Sequence, residues 1–345
     1  MFRLSRFFVL LAIISLYSIS KAEELSFSRV NYGYANLPIW SPITPFEEKT
    51  ILETIDGTND LLPLYLLASG EVRTFDHFQQ YNHRFETWLS SFKSKIKRKN
   101  EIQKGALLFT AMHEEFFPEN EFSGYEANQS QLNRIFDYES YNCISSAMLY
   151  IAAAKKLDLD VKGVLIPSHA FVQLTLANQT IIEIETTSKS GFNIQHDDKF
   201  FQSQADEWAT AREIALPTFN DYQNREVISP VELGLVDMWS QHVGVDRMSH
   251  QDRFRLTEIK SHLSPMDVDT QKNRLAFYLS EFTYLNREKE HTHLKSMFRV
   301  ISPYLIEVHN NHPTDFEVTT LHRKIRATFA LTLMETSNFD EGYAL

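Results

Sequence analysis

The chain has a single cysteine, Cys143, in 345 residues. It can form no intramolecular disulfide, so a disulfide-stapled framework is excluded. Glycine is scarce, with 10 residues, which argues against Gly-rich phosphate loops and against a barrel built on many tight turns. Basic charge is outweighed: 34 Lys and Arg stand against 45 Asp and Glu, a formal charge of −11. Such a chain repels a phosphate backbone, so no nucleic acid is expected as a partner. The one basic run, Lys93 to Lys99 (KSKIKRK), reads as the solvated face of a helix. Beyond the N-terminus, no apolar run approaches the ~20 residues that cross a bilayer.

The N-terminus itself has the pattern of an export leader. Arg3 and Arg6 precede an apolar stretch from Phe7 to Ile19, and Ser20-Lys21-Ala22 sets small residues before a cut at Glu23. Residues 1–22 are therefore expected to be a signal peptide and the product exported, either periplasmic or secreted; the alternative is an uncleaved anchor. No Cys follows the apolar stretch, which excludes a lipoprotein. Losing Arg3, Arg6 and Lys21 with the leader takes the charge to −14. Outside the cytoplasm an unpaired thiol is an oxidation liability. Cys143 is either buried and inert or kept because a thiol is needed.

What is present is helix-forming pattern on both sides of a short β-rich centre. Residues 23–100 read as an extended strap (NLPIWSPITPF) followed by a helical scaffold, with Leu62, Tyr65 and Leu66 and then Phe85, Trp88, Leu89 and Phe92 at helical spacing. Residues 101–224 hold a further helix ending before Pro118 and then the change of character. Asn142 is a good N-cap, and Ile144, Ala147, Met148, Ile151 and Ala154 share one face of the helix that follows. Three β-rich runs come next: Val161 to Pro167, His169 to Leu176 and Thr180 to Thr187, with a hairpin at Ala177-Asn178-Gln179. A short helix is expected around Glu207 to Arg212. Residues 225–345 return to helical hairpins, with stripes at Leu275, Tyr278, Leu279, Phe282 and Leu285, at Leu294, Met297, Phe298 and Ile301, and at Leu321, Ile325 and Phe329. Pro265, Pro303 and Pro313 punctuate them, and a fixed 34-residue period is missing. Helix followed by antiparallel strands, between helical flanks, is an α+β order.

One constellation could carry chemistry. Cys143 starts a helix, where partial positive charge stabilises a thiolate. A nucleophilic thiol also needs an imidazole, and the imidazole an acid to orient it. His169 opens the second β-run and Glu185 lies near the end of the third. His169 is nine residues before Asn178 and Glu185 seven after it, so a hairpin brings them to one end, with a mismatch of two for a loop or bulge to absorb. Glu183 shares the face by alternation and is the rival acid. The other histidines (His291 and His293 beside Glu290, His309 and His312, and His196 with Asp197 and Asp198) lack a ligand spacing tied to a defined fold, so no metal is expected.

The segments YNCISSAMLYIAAAKKLDLDVKGVLIPSHAFVQL and IIEIETTSKSGF resemble the transglutaminase-like superfamily, which shares the papain-like Cys–His–Asp architecture. More narrowly, they are similar to a bacterial branch with an N-C-[IV]-S helix start, a P-x-H-x-F-V strand and an E-T-T-x-x-x-G-F segment. Arg225 to Leu233 and the helices beyond fit the same branch, in which helical, often tetratricopeptide-like, segments follow. The resemblance implies a catalytic core of one helix packed on a small antiparallel sheet. It implies Cys143 as nucleophile, His169 as general base and then acid, and Glu185 as the orienting acid, where the wider superfamily prefers Asp. The Cys143 N–H would be one oxyanion donor; Asn142, Gln129, Gln131 and Asn133 are further candidates. No cofactor is implied, and no alternating Asp/Asn calcium loop is present. The expected activity is that of an exported cysteine protease, amidase or acyl-transferase acting on peptide or protein amides through a thioester. The C-terminal helices would hold a protein partner. The alternative is a catalytically silent fold of the same type, serving as a peptide- or protein-binding module of the cell envelope.

Overall fold

In the computed structural model the described residues are 43–117, 124–202, 217–243 and 250–335. The leader, the strap before residue 43, the short helix expected at Glu207 to Arg212 and the last ten residues lie outside them. The chain divides into two compact units, Thr44–Ser249 and a second made of Met1–Ile43 with His250–Leu345; the described residues of each are taken by themselves.

The first unit opens with helices whose starts are written in their caps. α1 (Pro45–Ile55) and α4 (Glu101–Phe116) begin in capping boxes, Thr44 with Glu47 and Asn100 with Gln103. α2 (Leu62–Ala68) is apolar and buried along nearly its whole length. α3 (Phe75–Ile96) buries Phe78, Tyr81, Phe85, Trp88, Leu89, Phe92 and Ile96, one 3.6-period stripe, and leaves its basic C-terminal end exposed. α5 (Leu132–Tyr138) leads to α6 (Cys143–Lys155), which runs through the middle of the unit. The sequence pattern predicts an amphipathic α6; in fact Ser145 to Ala154 are all buried. The sheet covers one side, while α4, α5 and α8 (Pro230–Val243) pack on others. Small side chains at Ala147, Ala152, Ala153 and Ala154 permit that crowding.

Four antiparallel strands follow in the order β3-β2-β1-β4: β1 (Asp160–Ile166), β2 (His169–Thr175), β3 (Ile181–Ile184) and β4 (Glu226–Ile228). A two-residue turn at Pro167-Ser168, with Ser168 at φ 62°, sets Ile166 opposite His169. The Asn178 hairpin sets Thr175 opposite Ile181. β4 lies within the stretch read from sequence as the start of the helical domain. It pairs with β1, Gly163 opposite Ile228, and Tyr65 Oη donates to the Pro230 carbonyl at 2.9 Å. β4 and α8 thus belong to the compact unit of the sheet. β4 was missed because three residues carry no readable alternation. α7 (Phe219–Gln223) precedes it.

The second unit holds α9 (His250–Leu263), α10 (Val268–Arg287), α11 (His291–Asn311) and α12 (Phe316–Glu335). Leu275, Phe282, Leu294, Met297, Ile301 and Ile325 are among the buried residues of one core. Arg274 ties α10 to α9 through two hydrogen bonds to Glu258, at 2.7 and 2.6 Å. Pro303 does not end a helix as the sequence pattern predicts. It lies inside α11, where Ile301 and Leu305 on either side are held in the core. Among the described residues no helix is long and apolar enough to cross a membrane.

Candidate active site

Cys143 is the first residue of α6, and Asn142 is its cap. The Asn142 Oδ1 accepts from the Ile144 N–H at 2.9 Å and the Ser145 N–H at 3.0 Å, and Ser145 Oγ returns a bond to the Asn142 N–H at 2.9 Å. Such a cap is worth about 1 kcal/mol. It takes the next two N–H groups and leaves that of Cys143 to point out of the helix start. The thiol lies close enough to His169 to help raise its imidazole. Cys143 is 7% exposed and Glu185 2%.

His169 Nε2 lies 2.5 Å from Glu185 Oε2. With Nε2 so held, Nδ1 is the ring nitrogen that remains for Cys143. The structure therefore brings together the three residues picked from the sequence. It also accounts for the mismatch of two. Val172 faces Ile184, and counting on puts Glu185 opposite Phe171, two residues short of His169. No bulge makes up the difference. His169 and Phe171 share a face, so the carboxylate reaches the imidazole diagonally, and such neighbours are ~7–8 Å apart at Cα. The longer arm of Glu, where the superfamily prefers Asp, suits that reach.

The charges follow. Burial alone would pull the His169 imidazolium down, but the Glu185 carboxylate and the nearby Cys143 side chain outweigh it and hold it at about 10. Burial would raise Glu185; the imidazolium beside it and the Thr187 hydroxyl and N–H bring it to about 2. Both shifts favour the ionised pair.

Around this group are residues that sequence reasoning passed over. Glu185 Oε1 accepts from Thr187 Oγ1 at 2.6 Å and from the Thr187 N–H at 3.2 Å. Thr186 Oγ1 and Ser146 Oγ, one turn beyond Cys143, are 2.8 Å apart. Gly191 closes the loop: the Glu185 N–H donates to its carbonyl at 2.8 Å, and a Cβ there would fall 1.8 Å from the Glu185 carbonyl oxygen. His113 on α4, pulled down to about 4 by burial and then by Lys189, lies beside the Thr186 backbone. Only the hydroxyls and the glycine of NCISS and ETTxxxGF could have flagged this shell in the sequence. His113 carries no such signal, sitting in an ordinary apolar helix stripe with Phe109 and Met112.

Of the further oxyanion candidates, Asn142 and Gln129 are committed elsewhere. Asn142 Nδ2 donates to the Ala127 carbonyl, and Gln129 Nε2 to the carbonyls of Gln131 and Ser140. Gln131 Nε2 reaches the Ser69 carbonyl and Asn133 Nδ2 the Glu71 carboxylate. Among the described residues no group of three or more His, Cys, Asp or Glu could hold a metal ion. His293 pairs with Glu290 at 3.2 Å, and His309 stacks on His322 with ring centroids 4.8 Å apart.

Two proteins called UPF0162 protein, from Xylella fastidiosa strains 9a5c and Temecula1 / ATCC 700964, are each 24% identical over 155 residues. That is 42% of this chain and 50% of theirs, so the chain spans about half the length of the curated relatives it matches. No solved structure matches it. The profile of the transglutaminase-like superfamily matches from within α3 to just past His196, and residues 79–197 of this chain are a domain of that superfamily.

Proposed function

We propose that the chain is an exported thiol enzyme, a cysteine protease, amidase or acyl-transferase, that opens an amide of a peptide or protein. The observation that carries the reading is the group Cys143, His169 and Glu185, with the thiol beside the imidazole and the imidazole bonded to the carboxylate. Cys143 Sγ attacks the amide carbon, and the developing oxyanion is met by the Cys143 N–H at the helix start. His169 Nδ1–H gives its proton to the leaving amine, so the C–N bond breaks and a thioester remains. Water or an amine then attacks the thioester, losing a proton to His169 as the thiolate departs. Glu185 stays ionised throughout and keeps the ring in register.

The test is labelling of the folded protein. Iodoacetamide is expected to alkylate Cys143 at mildly acid pH, where a free thiol is almost wholly protonated, and an activated ester is expected to leave an acyl group on the same residue. Reaction only after denaturation would overturn the enzyme reading. One observation favours a silent binding module instead: the trio is buried and the Gln129 and Asn142 amides are spent on structure. Full alkylation with no acylation by any ester or peptide would select that reading. Export rests on the leader pattern of residues 1–22; N-terminal sequencing of the mature protein is expected to begin at Glu23. In this reading the helices from His250 onward hold a protein partner.

A further inference from the structure

We infer that Thr187 and Ser146 are positioning residues that fix Glu185 to the imidazole and to the nucleophile's helix, an inference that rests on the thiol-enzyme reading above. A carboxylate that orients a histidine across a diagonal has a freedom that one at the directly opposite position lacks: it can swing about its long arm. Here the arm is pinned at its other oxygen. Oε2 is on His169 Nε2 at 2.5 Å, and Oε1 accepts both the hydroxyl and the N–H of Thr187, at 2.6 and 3.2 Å. Two donors on Oε1 fix the plane of the carboxylate and offset the loss of water at a 2%-exposed acid. Thr187 thus acts on the reaction through Glu185, to which both of its bonds run.

The second fastening sets depth. Thr186, between the acid and its clamp, has its hydroxyl 2.8 Å from Ser146 Oγ, and Ser146 also donates to the Cys143 carbonyl at 3.3 Å. Both hydroxyls are on fully buried residues. The strand end that carries the acid is therefore bonded to the helix turn that carries the nucleophile, three residues from the thiol. Three hydroxyls, at 146, 186 and 187, do work that the catalytic trio alone would leave to apolar packing. An apolar replacement of the same shape would keep the packing and lose the register.

The experiment measures the rate of iodoacetamide reaction at Cys143 against pH in the full-length chain, for wild type, Thr187→Val, Thr187→Ser and Ser146→Ala. Fold is followed by circular dichroism and thermal melting. Thr187→Val is expected to lower the rate at mildly acid pH roughly tenfold, the effect of losing one hydrogen bond to a charged group, and to move the acid limb of the profile upward. Thr187→Ser, which keeps the hydroxyl, is expected to restore most of the rate. In a Glu185→Gln background, Thr187→Val is expected to change nothing further. A folded Thr187→Val chain with the wild-type profile would overturn the inference and leave the thiol reading standing. A wild type without reaction at mildly acid pH would sink the reading itself. Should Thr187→Val fail to fold, Ser146→Ala decides: a severalfold loss with a shifted limb supports the clamp, and the wild-type profile overturns it.

Discussion

Glu183 Oε2 lies 2.6 Å from His196 Nδ1, so the rival acid on this sheet face has a histidine of its own. The Tyr222 hydroxyl also donates to both Glu183 oxygens, at 2.9 and 3.0 Å, and Arg225 Nε lies 3.8 Å away. Phe171 separates the two pairs, with its ring 6.3 Å from His169 and 4.4 Å from His196. Two carboxylates two residues apart therefore have different tasks. Glu183 fastens α7 and the aromatic cluster of Phe171, Phe201 and Tyr222 to the sheet; Glu185 holds the imidazole that faces the thiol.

Glu185→Gln is thus expected to discharge His169 at neutral pH. Without the carboxylate, burial dominates and the imidazolium falls from about 10 to below its ordinary value. The check is nitrogen-15 NMR of the His169 ring: wild type stays protonated through the neutral range, and the variant is neutral there. Alkylation of Cys143 at mildly acid pH falls in parallel. Glu183→Gln is expected to lower the melting temperature and leave the His169 signal unmoved. The reverse ranking would reassign the third residue.

Glu185→Asp separates charge from reach. The shorter arm keeps the negative charge but cannot span the diagonal to His169 Nε2 while accepting from Thr187. Alkylation at mildly acid pH is expected to fall roughly tenfold, about the worth of a charge-assisted hydrogen bond. A wild-type rate in the Asp variant would show that charge alone suffices and that the diagonal geometry is incidental.

The sequence carried this site because its parts are local. Asn142 before Cys143 marks a helix start through capping chemistry, and the hairpin at Asn178 sets the register of β2 and β3 by turn geometry. Both signals lie within a few residues. The surrounding shell depends on contacts across the fold. Ser146 and Thr186 are 40 residues apart in sequence, and His113 meets Thr186 only once α4 packs beside the sheet. The capping boxes and apolar stripes of the outer helices were legible for the same local reason. The all-round burial of α6 and the pairing of β4 with β1 were not, because both follow from which elements happen to surround them.

His113 is expected to make the protein acid-sensitive. Its imidazole is held at about 4, below the ordinary value, by burial and by Lys189. The unfolded chain therefore binds the proton first as pH falls, and this contribution to stability is lost between about pH 6.5 and 4. The neighbouring pair has other windows. The Glu185 contribution disappears only toward pH 2, and that of His169 above the ordinary histidine range toward pH 10. Urea midpoints at about pH 7 and pH 5 are expected to differ by the equivalent of roughly 1–2 kcal/mol on this account. His113→Gln is expected to flatten that difference. An unchanged slope would place the acid sensitivity elsewhere.

The boundary between the sheet and the helices can be tested by where the chain is cut. A chain ending at Asn224 loses β4 and α8. With them go Ile228, Leu233, Leu235 and Met238, all buried. At ~2 kcal/mol for each apolar side chain returned to water, the loss is about 8 kcal/mol, comparable to the whole stability of a domain at ~5–15 kcal/mol. The packing is close as well as apolar. A Cβ at Gly163 would meet Ile228 at 3.1 Å and Leu233 at 3.6 Å, and one at Gly234 would meet Leu64 and Tyr65 at 3.3 Å. The cut at Asn224 is therefore expected to give insoluble or unfolded material without Cys143 reactivity at mildly acid pH. A chain ending at Ser249 keeps all four described strands and is expected to remain folded, with the alkylation profile of the full chain. It is also expected to lose binding to whatever partner the C-terminal helices hold. If the longer truncation is also insoluble, the helices from His250 onward belong to the same cooperative unit as the sheet. If the shorter one folds and reacts, the sheet closes without β4, and the fold's edge lies where the sequence alone had put it.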